Sequence, residues 1–392
     1  MTTTKNNEHK KLNVPNLRFP EFQGEWEKCI LGDITENFNL RNKDKIQYPM
    51  FSVTNDRGFV PQSEQFEGRD MVGEDIKAYK IIHTNDFAYN PARINVGSIA
   101  MYTGERPCMI SSLYVCFKTT KEVNNEWLMQ LLKTPKMNYY YNVNGEGGVR
   151  VYLFYPNFAR IRMSIPKIEE QKKIAKLLNL IDERIATQNK IIEDLKKLKS
   201  AIIEKVYSEI QGKEYSYGQL FDVVNERNKQ MEYSNILSAS QEKGMVNRDD
   251  LNLDIQFERS NINTYKIVRK GDYVIHLRSF QGGFAFSDKL GVCSPAYTIL
   301  RPNSILEYGY LSNYFTSQRF IKSLVLVTYG IRDGRSINVE EWLRMKITIP
   351  PKEHQQYIVK VIGTFERKIE DEEAYAAHLS KQKQYLLRQM FI

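Results

Sequence analysis

The feature that most constrains this chain is that it repeats itself. Ile161-Arg-Met-Ser-Ile-Pro166 returns as Met345-Lys-Ile-Thr-Ile-Pro350, 184 residues later and without a gap. Both are short strand-like runs that stop at a proline. Behind the first proline come Glu169 and Gln171, then Ile174, Leu178, Ile181, Ile185, Gln188, Ile192, Leu195, Lys199, Ile202 and Val206. Behind the second come Glu353 and Gln355, then Ile358, Ile362, Phe365, Ile369, Glu372, Ala376, Leu379, Lys383, Leu386 and Met390. The spacings alternate between four and three in both runs, and polar residues interrupt both at the same places. A heptad seam sustained this long predicts two coiled-coil helices, each roughly 40 residues and about 60 Å long. Proline and acidic residues at the start suit a helix N-terminus, and Gly212 is expected to end the first helix. One alternative is a homodimer through one such helix. Two matching helices in one chain favour pairing with each other, antiparallel about a pseudo-two-fold axis.

The intervening segments repeat more faintly. Leu31-Gly-Asp33-Ile resembles Leu220-Phe-Asp222-Val, and Arg41-Asn42-Lys43 resembles Arg227-Asn228-Lys229. Asn85-Asp86-Phe87 resembles Gly271-Asp272-Tyr273, and Ser111-Ser-Leu-Tyr114 resembles Ser294-Pro-Ala-Tyr297. Short runs rich in Val, Ile, Tyr and Phe with Gly or Asn between them predict strands and turns, with helices near 126–132 and 311–322. The expected fold class is α+β. Two α/β domains, 1–165 and 213–349, are each followed by a long helix, 166–212 and 350–392, and the two helices pair as an antiparallel coiled coil.

With 392 residues, more than one core is expected. No apolar run is long enough to span a bilayer, and the polar N-terminus lacks a signal-peptide core, so a cytoplasmic protein with no membrane partner is expected. Cys29, Cys108, Cys116 and Cys293 have no metal or disulfide spacing. The net charge of +9 suits a polyanion, but it is spread along the chain.

The order of domain, Ser-Ile-Pro-x-x-Glu-Glu-Gln helix, domain, Thr-Ile-Pro-x-x-Glu-His-Gln helix, together with the opening Pro15-Asn-Leu-Arg-Phe-Pro-Glu-Phe-x-Gly-Glu-Trp26, resembles the specificity (S) subunit of Type I restriction–modification enzymes. The resemblance covers nearly the whole chain. The second copy departs from the pattern with His354 in place of an acidic residue and with Gly363 inside the helix, where local looseness is expected. The resemblance implies that each globular segment is a target recognition domain for half of a bipartite site in double-stranded DNA. It further implies that the helices set the gap and dock two modification (M) subunits, which carry S-adenosylmethionine and methylate adenine. Restriction (R) subunits, with ATP and Mg, would join for cleavage. The alternative is a non-catalytic coiled-coil scaffold whose repeated domains bind proteins.

No residue of this chain is expected to be catalytic, and none to hold a metal or cofactor. Asn90-Pro-Ala-Arg93 lacks the second proline and the aromatic of an adenine methyltransferase motif, and reads as a turn. Asp75-Ile-Lys77 is an isolated three-residue match to a nuclease pattern, and no phosphate-binding loop is present. Reading DNA needs forked donors, amides and phosphate contacts. In the first domain these are expected from Asn55 and Arg57, from Tyr89, Asn90, Arg93 and Asn95, and from Asn144, Arg150 and Tyr152 around a glycine-rich loop. In the second domain they are expected from Gln241 and Lys243, from His276, Arg278, Ser279 and Gln281, and from Tyr329, Arg332, Arg335 and Ser336. Tyr139, Tyr140 and Tyr141 read as packing residues. Lys196, Lys197 and Lys199 read as the solvated face of the coiled coil.

Overall fold

The structure is a computed structural model; it describes residues 12–65, 76–147, 151–240, 243–251, 259–276, 283–329 and 336–392. The chain divides into two compact units, 1–188 with 375–392, and 189–374. The division runs through the long helices rather than at their ends. Each unit therefore holds one globular domain and half of each helix.

The two domains share one topology. In the first, Thr35–Phe38, Val115–Thr119, Phe87–Tyr89 and Ile99–Met101 lie side by side in that order as an antiparallel sheet. In the second, Phe221–Val224, Thr298–Pro302, Tyr273–Ile275 and Phe284–Phe286 do the same. Each sheet is joined by a hairpin, Phe51–Thr54 with Gly58–Pro61 or Leu237–Ser240 with Gly244–Asn247. A further pair completes each domain, Lys80–Ile82 with Cys108–Ile110 or Lys266–Val268 with Gly291–Cys293.

The faint sequence matches mark turns that need particular residues. Asn85 (φ 74°) and Gly271 (φ 94°) occupy the left-handed region, which asparagine and glycine tolerate best. The next residue, Asp86 or Asp272, accepts a hydrogen bond from the backbone N–H of His83 or Arg269. Asn42 and Asn228 are buried. Each side chain bridges the backbone of its own loop, Asn42 to Ile46 in both directions and Asn228 to Tyr233 likewise.

The central strands are buried on both faces. Phe87 and Tyr89 point into a core with Phe117, Trp127 and Phe158, while Ala88 points into a second core with Val53, Cys108 and Cys116. The second domain repeats this, with Tyr273 and Ile275 on one side and Val274 on the other.

The two long helices run Ile168–Ser208 and Lys352–Gln389. The central helix thus stops four residues before Gly212. That glycine is needed for a different reason, since a Cβ there would lie 2.2 Å from the carbonyl oxygen of Ile349.

Within each unit the helices pair antiparallel. In the first, Ile174 and Leu178 share a core with Leu387 and Met390, Asp182 meets Lys383, and Arg184 lies against the Tyr375 ring. In the second, Lys196 meets Glu373, Lys199 meets Glu366, and Ile203 shares a core with Ile362. As numbers rise along one helix they fall along the other.

The expected seam is recognisable. Ile174, Leu178, Ile192, Ile362, Ile369, Ala376, Leu379 and Met390 are buried, and Ile181, Ile185, Leu195, Ile202, Ile358, Phe365 and Leu386 are half-buried. Toward the ends the buried stripe moves over by one residue, to Ile203, Tyr207 and Leu387. A helix with 3.6 residues per turn drifts from a strict heptad, and here the drift turns the ends toward the globular domains. Lys199 belongs to this seam rather than to a solvated face.

Each domain is held at two places. The glutamine repeated at each helix start, Gln171 or Gln355, is a buried clip. Gln171 donates to the carbonyls of Pro166 and Glu122 and accepts from the N–H of Asn124. Gln355 donates to those of Pro350 and Ile305 and accepts from the N–H of Glu307. The far end of the other helix, or the residues just beyond it, supplies an aromatic: Phe391 packs on Trp127, and Tyr207 on Tyr310 and Tyr314.

The departure at His354 also has a structural reason. Its counterpart Glu170 is buried and receives the forked guanidinium of Arg18 at 2.8 and 2.7 Å and the indole N–H of Trp26 at 3.3 Å. The hydrogen bond from Arg18 to Glu170 raises the arginine pKa above its ordinary value. Residues 13–26 form an arm that also ties Leu17 to the carbonyl of Gln389. The second half is entered from the central helix through Gly212, and His354 is exposed.

Candidate nucleic-acid interface

In the first domain the described parts of three of the expected loops adjoin one another. The Asn55–Arg57 turn closes a hairpin, with Gly58 at φ 68° and the Thr54 hydroxyl accepting from the N–H of Arg57. It abuts the 90–97 turn so closely that a Cβ on Gly97 would lie 3.0 Å from the carbonyl oxygen of Asn55.

In that turn the Asn90 side chain accepts from the N–H of Ala92, and the Arg93 N–H donates to the carbonyl of Asn90. Asn90-Pro-Ala-Arg93 is therefore a self-stabilised turn. The third loop joins through backbone, the Leu153 N–H donating to the carbonyl of Pro91. Glu146 and Tyr152 bridge its base, and Tyr152 stacks on Phe154 at the surface.

Arg57 and Arg93 are exposed, while Asn90, Asn95 and Asn144 are half-buried. The Asp56 carboxyl at the hairpin tip is held below its usual range, chiefly by a backbone hydrogen bond. An anion there opposes phosphate and is compatible with accepting from a cytosine amino group.

One expected contact is wrong. Tyr89 is 0% exposed, packed 5.2 Å from the Phe158 ring and 6.3 Å from Phe117. It belongs to a central strand covered on both faces, and no duplex can reach it. Burial drives its hydroxyl pKa upward.

Tyr139 is exposed, Tyr140 half-buried and Tyr141 buried. Arg150 lies outside the described residues, as do Gln241, Arg278, Ser279, Gln281, Arg332 and Arg335.

What is described of the second domain follows the first. Lys243 is exposed beside Gly244 (φ 69°), at the position of Arg57 beside Gly58. His276 follows a central strand, as Asn90 does, and its N–H donates to the carbonyl of Gly283. Tyr329 and Ser336 pair across a short ribbon.

Among the described residues, no group of His, Cys, Asp and Glu is placed to hold a metal ion. No helix among them is long and apolar enough to cross a membrane.

A family model described as "Type I restriction modification DNA specificity domain" matches this chain twice, over residues 23–197 and 212–379. A putative type I restriction enzyme MjaX specificity subunit of Methanocaldococcus jannaschii is 22% identical over 408 residues, covering 97% of this chain and 96% of that protein. The MjaVIII specificity subunit of the same organism is 26% identical over 197 residues, covering 49% of this chain and 43% of its own.

Two solved structures share the fold. A chain from a study of complex assembly and conformational transition in a type I R-M system has a TM-score of 0.59 at 14% identity, over 92% of this chain and 96% of its own. The S subunit of a Type-I restriction-modification system from M. genitalium has a TM-score of 0.55 at 11% identity, over 97% and 99%.

Proposed function

The chain belongs to the Type I restriction modification DNA specificity family, and on that premise we propose how it works within its complex. Each domain reads one half of a bipartite site in double-stranded DNA. The paired helices hold the two readers at a set separation and dock two modification subunits. Those subunits bind S-adenosylmethionine and methylate adenine. Restriction subunits, with ATP and Mg, join for cleavage. This chain contributes no catalytic group.

The observation that carries this reading is the pairing of one topology with two loop sets. Strand order and register repeat across the halves, but Asn55-Asp-Arg57 stands where the second half has Gln241-Glu-Lys243, and Asn90 where it has His276. A repeated framework with divergent loops is what two independent readers require. Phosphate contacts would fix position and loop side chains would specify bases.

The test is single-molecule sequencing of adenine methylation in cells carrying this chain and its cognate modification subunit, against cells lacking the chain. A new split motif is expected. Its absence, together with binding that does not weaken as salt rises, would favour the protein-interaction scaffold instead.

A further inference from the structure

Both domains expose an uncharged pair of side chains at the same structural position. Thr134 and Ser317 each cap a helix, the hydroxyl accepting at 3.2 Å from the N–H of Met137 or Phe320. Counted from those caps, buried and exposed residues fall in the same order, although the first helix runs on through Asn144 while the second ends at Ser323 and passes into the tighter turn Leu324–Val327. Met137 and Phe320 are buried, and so are Tyr141 and Leu324. The next two residues, Asn142-Val143 and Val325-Leu326, face solvent. Val143 is 59% exposed, Val325 74% and Leu326 76%.

Single exposed aliphatic residues are unremarkable. Here they recur at matched positions, and Lys136 is the one charged residue in Pro135–Asn144. Asn142 continues into the candidate interface: its side-chain oxygen accepts from the Asn95 amide at 3.0 Å and its NH2 donates to the Asn138 carbonyl at 2.9 Å, so a base engages the remaining lone pair and N–H or displaces these bonds. Leu326 stands two residues before the Thr328–Tyr329 strand, which pairs with Ser336–Ile337.

Phosphate contacts call for cations, whereas base edges call for amides that match adenine and apolar groups that meet the thymine methyl in the major groove. We infer that Asn142 and Val143 in the first domain, and Val325 and Leu326 in the second, touch base edges in the major groove. Asn142 and Val143 then read an A·T pair through amide and methyl contacts, and Val325 and Leu326 read thymine through its methyl group alone. This rests on the DNA-reading function proposed above.

The test uses the full chain assembled with its modification subunits, with motifs mapped by methylation sequencing. Asn142→Ala with Val143→Ala should relax one position of the first domain's half-site by roughly 5- to 150-fold in discrimination, leaving the other half-site and the gap unchanged. Val325→Ser with Leu326→Ser should do the same for the other half-site alone. Asn142→Arg should move the preference toward guanine. A wild-type motif that persists unchanged in all three variants overturns the inference and leaves the proposed function standing. Variants with unaltered melting that no longer assemble with the modification subunits also overturn it, assigning the surface to a protein partner. A wild-type chain that directs no motif overturns the proposed function and this inference with it.

Discussion

The Lys383 ammonium lies 2.5 and 2.7 Å from the two carboxylate oxygens of Asp182, and Lys199 meets Glu366 at 3.0 Å. These are one contact seen twice, since Glu366 is the 184-residue counterpart of Asp182, and Lys383 that of Lys199. The lysines that break the apolar seam each find the acid at the matching place on the opposite helix. A slip of one heptad would set Lys383 opposite Ala175 or Asn189, neither of them charged. A buried polar residue in a seam specifies register in this way.

Replacing Asp182 with Asn should therefore destabilise the first unit, since Lys383 is only 16% exposed. Asp182→Lys combined with Lys383→Asp should recover most of the loss. A double-mutant cycle on thermal melts is expected to give a coupling energy of about 0.5–2 kcal/mol. A coupling near zero would mean that the pair does not set the register.

Gln171 and Gln355 are predicted to matter more than their neighbours on the helices. Each fills three hydrogen bonds in a buried place, so truncation to Ala leaves backbone groups unpaired and should cost ~2–4 kcal/mol. Hydrogen exchange should locate the loosening at 122–124 and the central helix start for Gln171→Ala, and at 305–307 and the C-terminal helix start for Gln355→Ala.

Gly363 sits inside the C-terminal helix with open space where a Cβ would go. Gly363→Ala should stabilise the chain by about 0.5–1 kcal/mol. A higher melting temperature with unchanged assembly would agree. A drop in assembly would show that a partner needs the bare backbone there.

Burial pushes the thiols of Cys108, Cys116 and Cys293 up to about 12, from an ordinary value of 9.0. Their contribution to stability is fully present below pH 9 and is lost as pH rises toward 12. Alkylation at pH 8 should accordingly be slow at these three until the protein unfolds. Cys29 is only half-buried and should react first.

The helices were legible in the sequence because a seam of alternating four- and three-residue spacings leaves few alternatives, and their antiparallel sense followed from the internal repeat. The interface was legible only as loops. Tyr89 was misplaced because Asn90-Pro91 looks like a turn while the run before it is too short to reveal a strand buried on both faces. Lys199 carried both a seam position and a surface-like charge, and its partner Glu366 is 167 residues away. The roles of Gln171, Gln355 and the Arg18–Glu170 pair depend on contacts between distant segments. The heptad phase gives none of those contacts. The sequence gives no signature for Asn142 and Val143, because the exposed face of a ten-residue helix cannot be told until its capping residue fixes the phase.

Two independent readers sharing one chain should be exchangeable one at a time. The most direct measurement replaces residues 213–349 with the matching domain of another family member and maps the methylated motif of the assembled enzyme. One half-site should change completely while the other half-site and the gap stay as they were. A motif that changes in both halves, or in neither, would contradict the independence of the two readers.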